Sequence, residues 1–170
     1  MRDLQLRWVV VLMGSIMTLS GCTYAAIQRL SLQEQAEFHI YQKVMTPSQE
    51  RAYLAKATAA ERTAYLSEIG LTQRLQALDP QDREIVLSGI PRVGMSAEAL
   101  LFVWGEPYYK SGDARRYAHW YYLGSSFDLA SSGNRYTESG TRVDVYLVAG
   151  KVVGWVDYAP SDESSGKRIR

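Results

Sequence analysis

Hydrophobic residues follow three different rules along this chain. From Trp8 to Leu19 they form one uncharged run, WVVVLMGSIMTL. From 31 to 88 they come in small clusters at helical spacing, and from 116 to 158 they alternate with polar residues at the period of a strand. Each regime predicts a different structure.

The middle regime reads as short helices with marked starts. Ser31 with Glu34, Thr46 with Gln49 and Thr58 with Glu61 have the spacing of a capping box, and Asp79 with Asp82 is a weaker variant. Pro47 and Pro80 stand one residue after a cap, where a missing N–H costs nothing. The residues expected to be buried are Tyr53, Leu54, Tyr65, Leu66, Leu71, Leu75, Val86 and Leu87. TAAERTAYL (58–66) and DPQDREIVL (79–87) share one form, cap-x-x-acid-Arg-x-x-apolar-Leu. Two copies fall short of a solenoid.

A further helix is expected from Ala97 to Trp104, capped by Ser96, with Leu100, Val103 and Trp104 on one face. Gly105 suits a left-handed position after its last turn, and Pro107 prevents continuation. Three strand-like runs follow: RYAHWYYL (116–123), TRVDVYLVA (141–149) and KVVGWVDY (151–158), the last two joined at Gly150. Between the first two, GSSFDLASSGNRYTESG is expected to be a mobile connector. The fold class is therefore α+β: a helical N-terminal segment, then a short helix and a three-stranded antiparallel sheet.

Strict alternation assigns the faces of that sheet. Trp120, Tyr122, Val143, Val145 and Leu147 point to the core, with Val152, Val156 and Tyr158 on the third strand. The opposite face carries His119, Tyr121, Arg142, Asp144 and Tyr146, with Val153, Trp155 and Asp157. Two readings of that face stand side by side. Its aromatic and charged mixture, centred on His119, Tyr121, Tyr146 and Trp155, has the composition of a binding surface. Alternatively, the helices of 31–88 cover it as a second layer.

Composition removes several functions. The chain has 170 residues with 19 basic and 18 acidic side chains, so it lacks the basic excess of a nucleic-acid binder. Its single cysteine allows no internal disulfide. The two histidines, His39 and His119, belong to no zinc spacing, and no nucleophile elbow or phosphate-cradling glycine loop occurs. Asp144 and Asp157 read as solvated sheet carboxylates. No catalytic residue, no metal ligand and no cofactor is assigned, and the chain is read as non-enzymatic.

The first regime has the layout of an export signal: Arg2 and Arg7, then the apolar run, then Ser20-Gly21. Twelve apolar residues are too few for a membrane-spanning helix, which takes roughly 20. The sequence ends in Leu19-Ser20-Gly21-Cys22, which resembles a bacterial lipobox. The resemblance implies cleavage before Cys22, a diacylglycerol on its thiol and an N-acyl chain such as palmitate on its new amine. Several chains are needed for stable anchoring, since one acyl chain holds only marginally. Loss of Arg2, Arg7 and Asp3 with the signal would leave the mature chain balanced in charge. Thr23, where an Asp would signal inner-membrane retention, favours the outer membrane, with the domain facing the periplasm.

Gly94-Met95-Ser96, the apolar helix, Gly105-x-Pro107, a strand with Trp120-x-Tyr122 and a hairpin with Gly150-Lys151-Val152 together resemble the SmpA/OmlA (BamE-like) domain, over about residues 85–158. The resemblance implies helices on one face of a three-stranded antiparallel sheet and a protein-binding role at the outer membrane, with the β-barrel assembly machinery as one implied partner. A periplasmic inhibitor or ligand-binding module is the alternative. The expected organisation is signal peptide 1–21, tether 22–30, helical segment 31–88, α+β domain 89–158 and disordered tail 159–170.

Overall fold

All five helix starts marked by caps are present in the structure, a computed structural model that describes residues 24–131 and 140–158. The helices are α1 (Leu32–Tyr41), α2 (Pro47–Leu54), α3 (Ala59–Glu68), α4 (Leu71–Ala77), α5 (Pro80–Ser88) and α6 (Ala97–Trp104). Strands β1 (Tyr109–Asp113) and β2 (Tyr117–Leu123), helix α7 (Ser126–Ser131) and strands β3 (Arg142–Val148) and β4 (Lys151–Tyr158) complete the order. The signal segment, Cys22 and the tail 159–170 lie outside the described residues.

Ser31, Thr46 and Thr58 form full capping boxes with Glu34, Gln49 and Glu61, and the Asp79 side chain accepts from Asp82 N. Helix α4 escaped the cap search because it starts from Gly70 at φ 78°, with no side-chain cap. Leu87 is not buried as expected but 67% exposed. On α5 the inward face is Asp82, Ile85 and Val86, at i, i+3 and i+4, so the next residue rotates outward. The repeated Arg has a shared task. Arg62 donates to the Lys56 carbonyl just beyond α2 (2.6 Å), and Arg83 to the Gln76 and Leu78 carbonyls at the end of α4 (2.7 and 2.9 Å). Each arginine thereby satisfies carbonyls that the preceding helix leaves open.

Helix α6 is the centre of the core. Residues Ala99 to Trp104 are all buried, as expected of a helix enclosed on every side. Trp104 meets Tyr122 and Trp155 of the sheet edge-on, with ring centroids at 5.4 and 5.6 Å, and Phe102 meets Tyr41 of α1 at 6.2 Å. The sheet is antiparallel in the order β1-β2-β3-β4, four strands rather than three. The added strand, YKSGD, is exposed throughout and carries no hydrophobic alternation that would reveal it. The first half of the connector, 124–131, is also more ordered than expected, and 132–139 lie outside the described residues. Ser125 and Asp128 cap α7 reciprocally, Asp157 accepts from Ser126 N and Oγ (2.7 and 2.8 Å), and Leu129 is buried.

Alternation holds on β2 and β3 and fails on β4. Tyr146 pairs with Gly154 but Leu147 pairs with Val152, leaving Val153 as a bulge. An extra residue shifts everything beyond it to the other face. Trp155, opposite Val145, therefore points to the core, while Val156 and Tyr158, opposite Asp144 and Arg142, point outward. The sequence-based assignment of these three residues, and of Asp157 opposite Val143, is reversed.

Candidate functional site

The outer face of the sheet is built in rungs by strand register. Tyr109, Tyr121, Asp144 and Val156 form one rung, and Ser111, His119, Tyr146 and Gly154 the next. Tyr117 with Val148 and Arg142 with Tyr158 flank them. Trp104 of α6 packs on the opposite face against Tyr122 and Trp155, and at the start of β4 Lys151 Nζ reaches Asp79 and Asp82 of α5 at 3.4 and 3.5 Å. Among the described residues no helix covers the outer one, and Tyr109, Tyr117, Val153, Val156 and Tyr158 stay exposed.

At its centre His119 lies against two tyrosines, stacked on Tyr146 and tilted by 36° to Tyr121. Its ring centroid is 4.1 Å from Tyr121 and 4.5 Å from Tyr146, the latter at an interplanar angle of 19°. Beneath them Asp144 is only 3% exposed, a buried carboxylate on the face where alternation expects solvent. Arg142 neutralises it, with Nε 2.8 Å from Oδ1 and Nη2 donating to Oδ2 at 3.3 Å. The same guanidinium lies 4.7 Å above Tyr158 and 5.9 Å from Tyr121, where a cation on a ring face is attracted by its quadrupole. His119 Nε2 is 3.3 Å from Asp144 Oδ2, without the angle of a good hydrogen bond. The Tyr146 phenol is raised above its usual 10.0, first by lost solvation and then by Tyr158, Asp144 and Tyr117.

Asp144 is thus not the solvated carboxylate that the sequence suggested. Asp157 pairs with Val143 on the inner side and holds α7. Ser111 stands opposite His119 in register, which brings serine, histidine and aspartate to one face. Among the described residues no hydrogen bond joins the Ser111 hydroxyl to the imidazole, whose Nε2 has no hydrogen-bond partner. Among the described residues no group of three acidic or histidine side chains is arranged to hold a metal, and no helix is long and apolar enough to cross a membrane.

Of the residues that carried the family resemblance, Met95, Trp120, Tyr122 and Val152 are in the core, while Gly94 and Lys151 are exposed. Gly94 N donates to Val152 O (2.7 Å), Val152 N to Met95 O (2.8 Å) and Ala97 N to Gly150 O (2.9 Å), so Gly94-Met95-Ser96 lies along the start of β4. Ser96 caps α6 through Ala99 N, and its own N–H donates to the buried Asp82. Pro107 and Trp120 are buried, and the Tyr122 hydroxyl donates to the Gly105 carbonyl at 3.2 Å. Of the four proposed face residues, His119, Tyr121 and Tyr146 come together and Trp155 lies behind them. His39 is exposed and pairs with Gln42.

Sequence reasoning missed Lys43. Its ammonium is buried without an acid and donates to the carbonyls of Val103 (2.5 Å), Leu129 and Ala130 (both 3.1 Å). Those carbonyls belong to the last turns of α6 and α7, so one cation caps two helices where their dipoles favour positive charge. A lysine 60 residues from its first acceptor leaves no local pattern to find.

Comparison with family models, with curated proteins and with solved structures finds no match to this chain. What the structure itself defines is an α+β protein with a buried central helix, helices on one face of a four-stranded antiparallel sheet and an aromatic face on the other.

Proposed function

We propose that this chain is a lipid-anchored, non-catalytic cell-envelope protein that binds a protein partner through the outer face of its sheet. It acts as a scaffold or assembly factor at the periplasmic side of the outer membrane, with β-barrel assembly as the process its motif order points to. The single observation that supports partner binding best is the uncovered aromatic face around His119. The manner of stacking narrows the partner's chemistry. Tyr121 and Tyr146 both lie against the imidazole, so each has ring area turned to His119 rather than to solvent. Sugar stacking needs open ring faces, whereas amphipathic tyrosine edges beside an Arg–Asp pair have the make-up of a protein hot spot.

The test uses the full protein in its native membrane. Replacing Tyr121 and Tyr146 together by Ala should weaken partner capture by tenfold or more, since hot-spot truncation costs about 2 kcal/mol or more. Recovery of barrel-assembly components by wild type supports the scaffold role. A single soluble enzyme as partner would instead support an inhibitor, and equal capture by wild type and variant would end the reading of this face.

A further inference from the structure

The described part of the expected tether, residues 24–30, is docked on the domain. Residues 24–27 form a helical turn, and Gln28 N and Leu30 N donate back to Tyr24 O and Ile27 O, each at 3.0 Å. Leu30 is buried and Ile27 packs against the core. Only Thr23 separates Tyr24 from Cys22, and two residues of extended chain reach about 7 Å. A lipid on Cys22 would therefore hold the domain against the bilayer with almost no slack, and the surface around Tyr24 would meet the headgroups.

That surface has an interfacial composition. Tyr24 is 69% and Leu32 85% exposed, although both are apolar. A cleft of about 260 Å³ opens in the same region, lined by Arg29, Lys56 and Arg62 with Leu30, Leu54 and Ala57. Three cations and no acid line it, and Arg62 is already held by Glu34. Glu34 is taken by Arg62 Nε and Nη2 (3.0 and 2.5 Å), and Glu61 accepts from the N–H groups of Ala57 and Thr58 (2.9 and 3.0 Å). Arg29 is exposed, and Lys56 rests 5.1 Å from the Tyr65 ring. Tyr and Leu at the water–lipid boundary with Arg and Lys beside them are what an anionic membrane surface attracts. The cleft is smaller than usual small-molecule sites, and its charge suits one phosphate.

We infer that the cleft between Arg29 and Lys56 takes the phosphate of an anionic phospholipid headgroup, and that Tyr24 and Leu32 seat this corner of the domain in the membrane interface. The inference rests on the lipid anchor of the proposed function and adds to it a defined orientation. It makes the helical corner, rather than the sheet, the membrane-facing side.

The experiment uses the full acylated protein in vesicles of phosphatidylcholine with and without phosphatidylglycerol. Backbone hydrogen exchange of residues 24–32 and 54–58 is followed, and mass spectrometry establishes the lipid on Cys22. Protection of both segments is expected only in the anionic vesicles, and it should fade at high salt. Arg29→Gln and Lys56→Gln should each lower the docked fraction about fivefold, and both melt as wild type does if neither is needed for the fold. Equal exchange in the two kinds of vesicle, with lipid present on Cys22, overturns the headgroup site and leaves the anchor intact. A chain without lipid overturns both. Protection by inorganic phosphate in such a chain would assign the cleft to a soluble anion instead.

Discussion

Gly105 adopts φ 83° and ψ −168°, a region open only to glycine and distinct from the left-handed cap its sequence context suggests. A second constraint acts on the same residue. A Cβ there would stand 3.0 Å from the Lys43 carbonyl oxygen, a backbone atom that cannot swing away. The Gly105 carbonyl also receives the Tyr122 hydroxyl. Gly105→Ala therefore combines backbone strain with a close contact, and each is of order 1–3 kcal/mol. The expected outcome is a loss of about 3 kcal/mol in unfolding free energy by urea titration. An unchanged midpoint would show that the chain after α6 can adopt another path.

At the scale of elements, the bulge on β4 decides which aromatic residue does what. It puts Trp155 against Trp104 inside the sheet and Val156 beside Asp144 outside. Trp155 is half-buried, so Trp155→Ala should destabilise the fold by about 2–3 kcal/mol, less than the roughly 3–5 kcal/mol of a fully buried indole. Partner capture by the protein that remains folded should be unchanged. Thermal melting and capture measured on one preparation check both halves. Weakened capture with an unchanged melting temperature would put Trp155 at the interface and contradict the bulge. The capped helices respond to simpler rules, because each cap and its acceptor lie three residues apart and act without the rest of the chain.

Over the whole molecule, Lys43 joins the loop after α1 to the ends of α6 and α7, and its charge gives the fold a distinctive alkaline response. Burial lowers the ammonium from the usual 10.5 to about 8. Between those values the unfolded chain keeps a proton that the folded chain has lost, so unfolding free energy rises with pH, by up to about 3 kcal/mol for this group. Tyrosines reverse the trend. Burial pushes Tyr53 to about 12 and also raises Tyr41 and Tyr122, so above about pH 10 the unfolded chain ionises where the folded one does not. Urea titrations from about pH 7 to 11 should therefore show stability climbing past pH 8 and falling beyond about pH 10. In Lys43→Met the climb should vanish and the fall remain. A wild-type profile flat across pH 8–10 would mean that the ammonium is solvated rather than buried.

What the sequence by itself determined was local. Caps three residues from their partners, prolines at the first helical position and glycine at the β3–β4 turn act over a few residues, so the starts of α1, α2, α3, α5 and α6 and the three longer strands were legible. So was the inward set on β2 and β3, because alternation is a local rule there. Only the tertiary structure decided the rest. The exposed β1 is a strand because β2 pairs with it, α4 follows a glycine instead of a cap, and one unpaired Val153 exchanges the faces of Trp155, Val156 and Tyr158. The candidate face has the same origin. His119, Tyr121 and Tyr146 could be read from alternation, and Arg142 stands two residues from Asp144 on the same strand, but the burial of Asp144 arises from strands brought side by side. Lys43 is the extreme case, since its three acceptors lie 60 to 87 residues away. A residue's neighbours in sequence carry the information for turns and caps. Which side of a sheet is covered, and which charge is enclosed, depends on distant segments meeting in space.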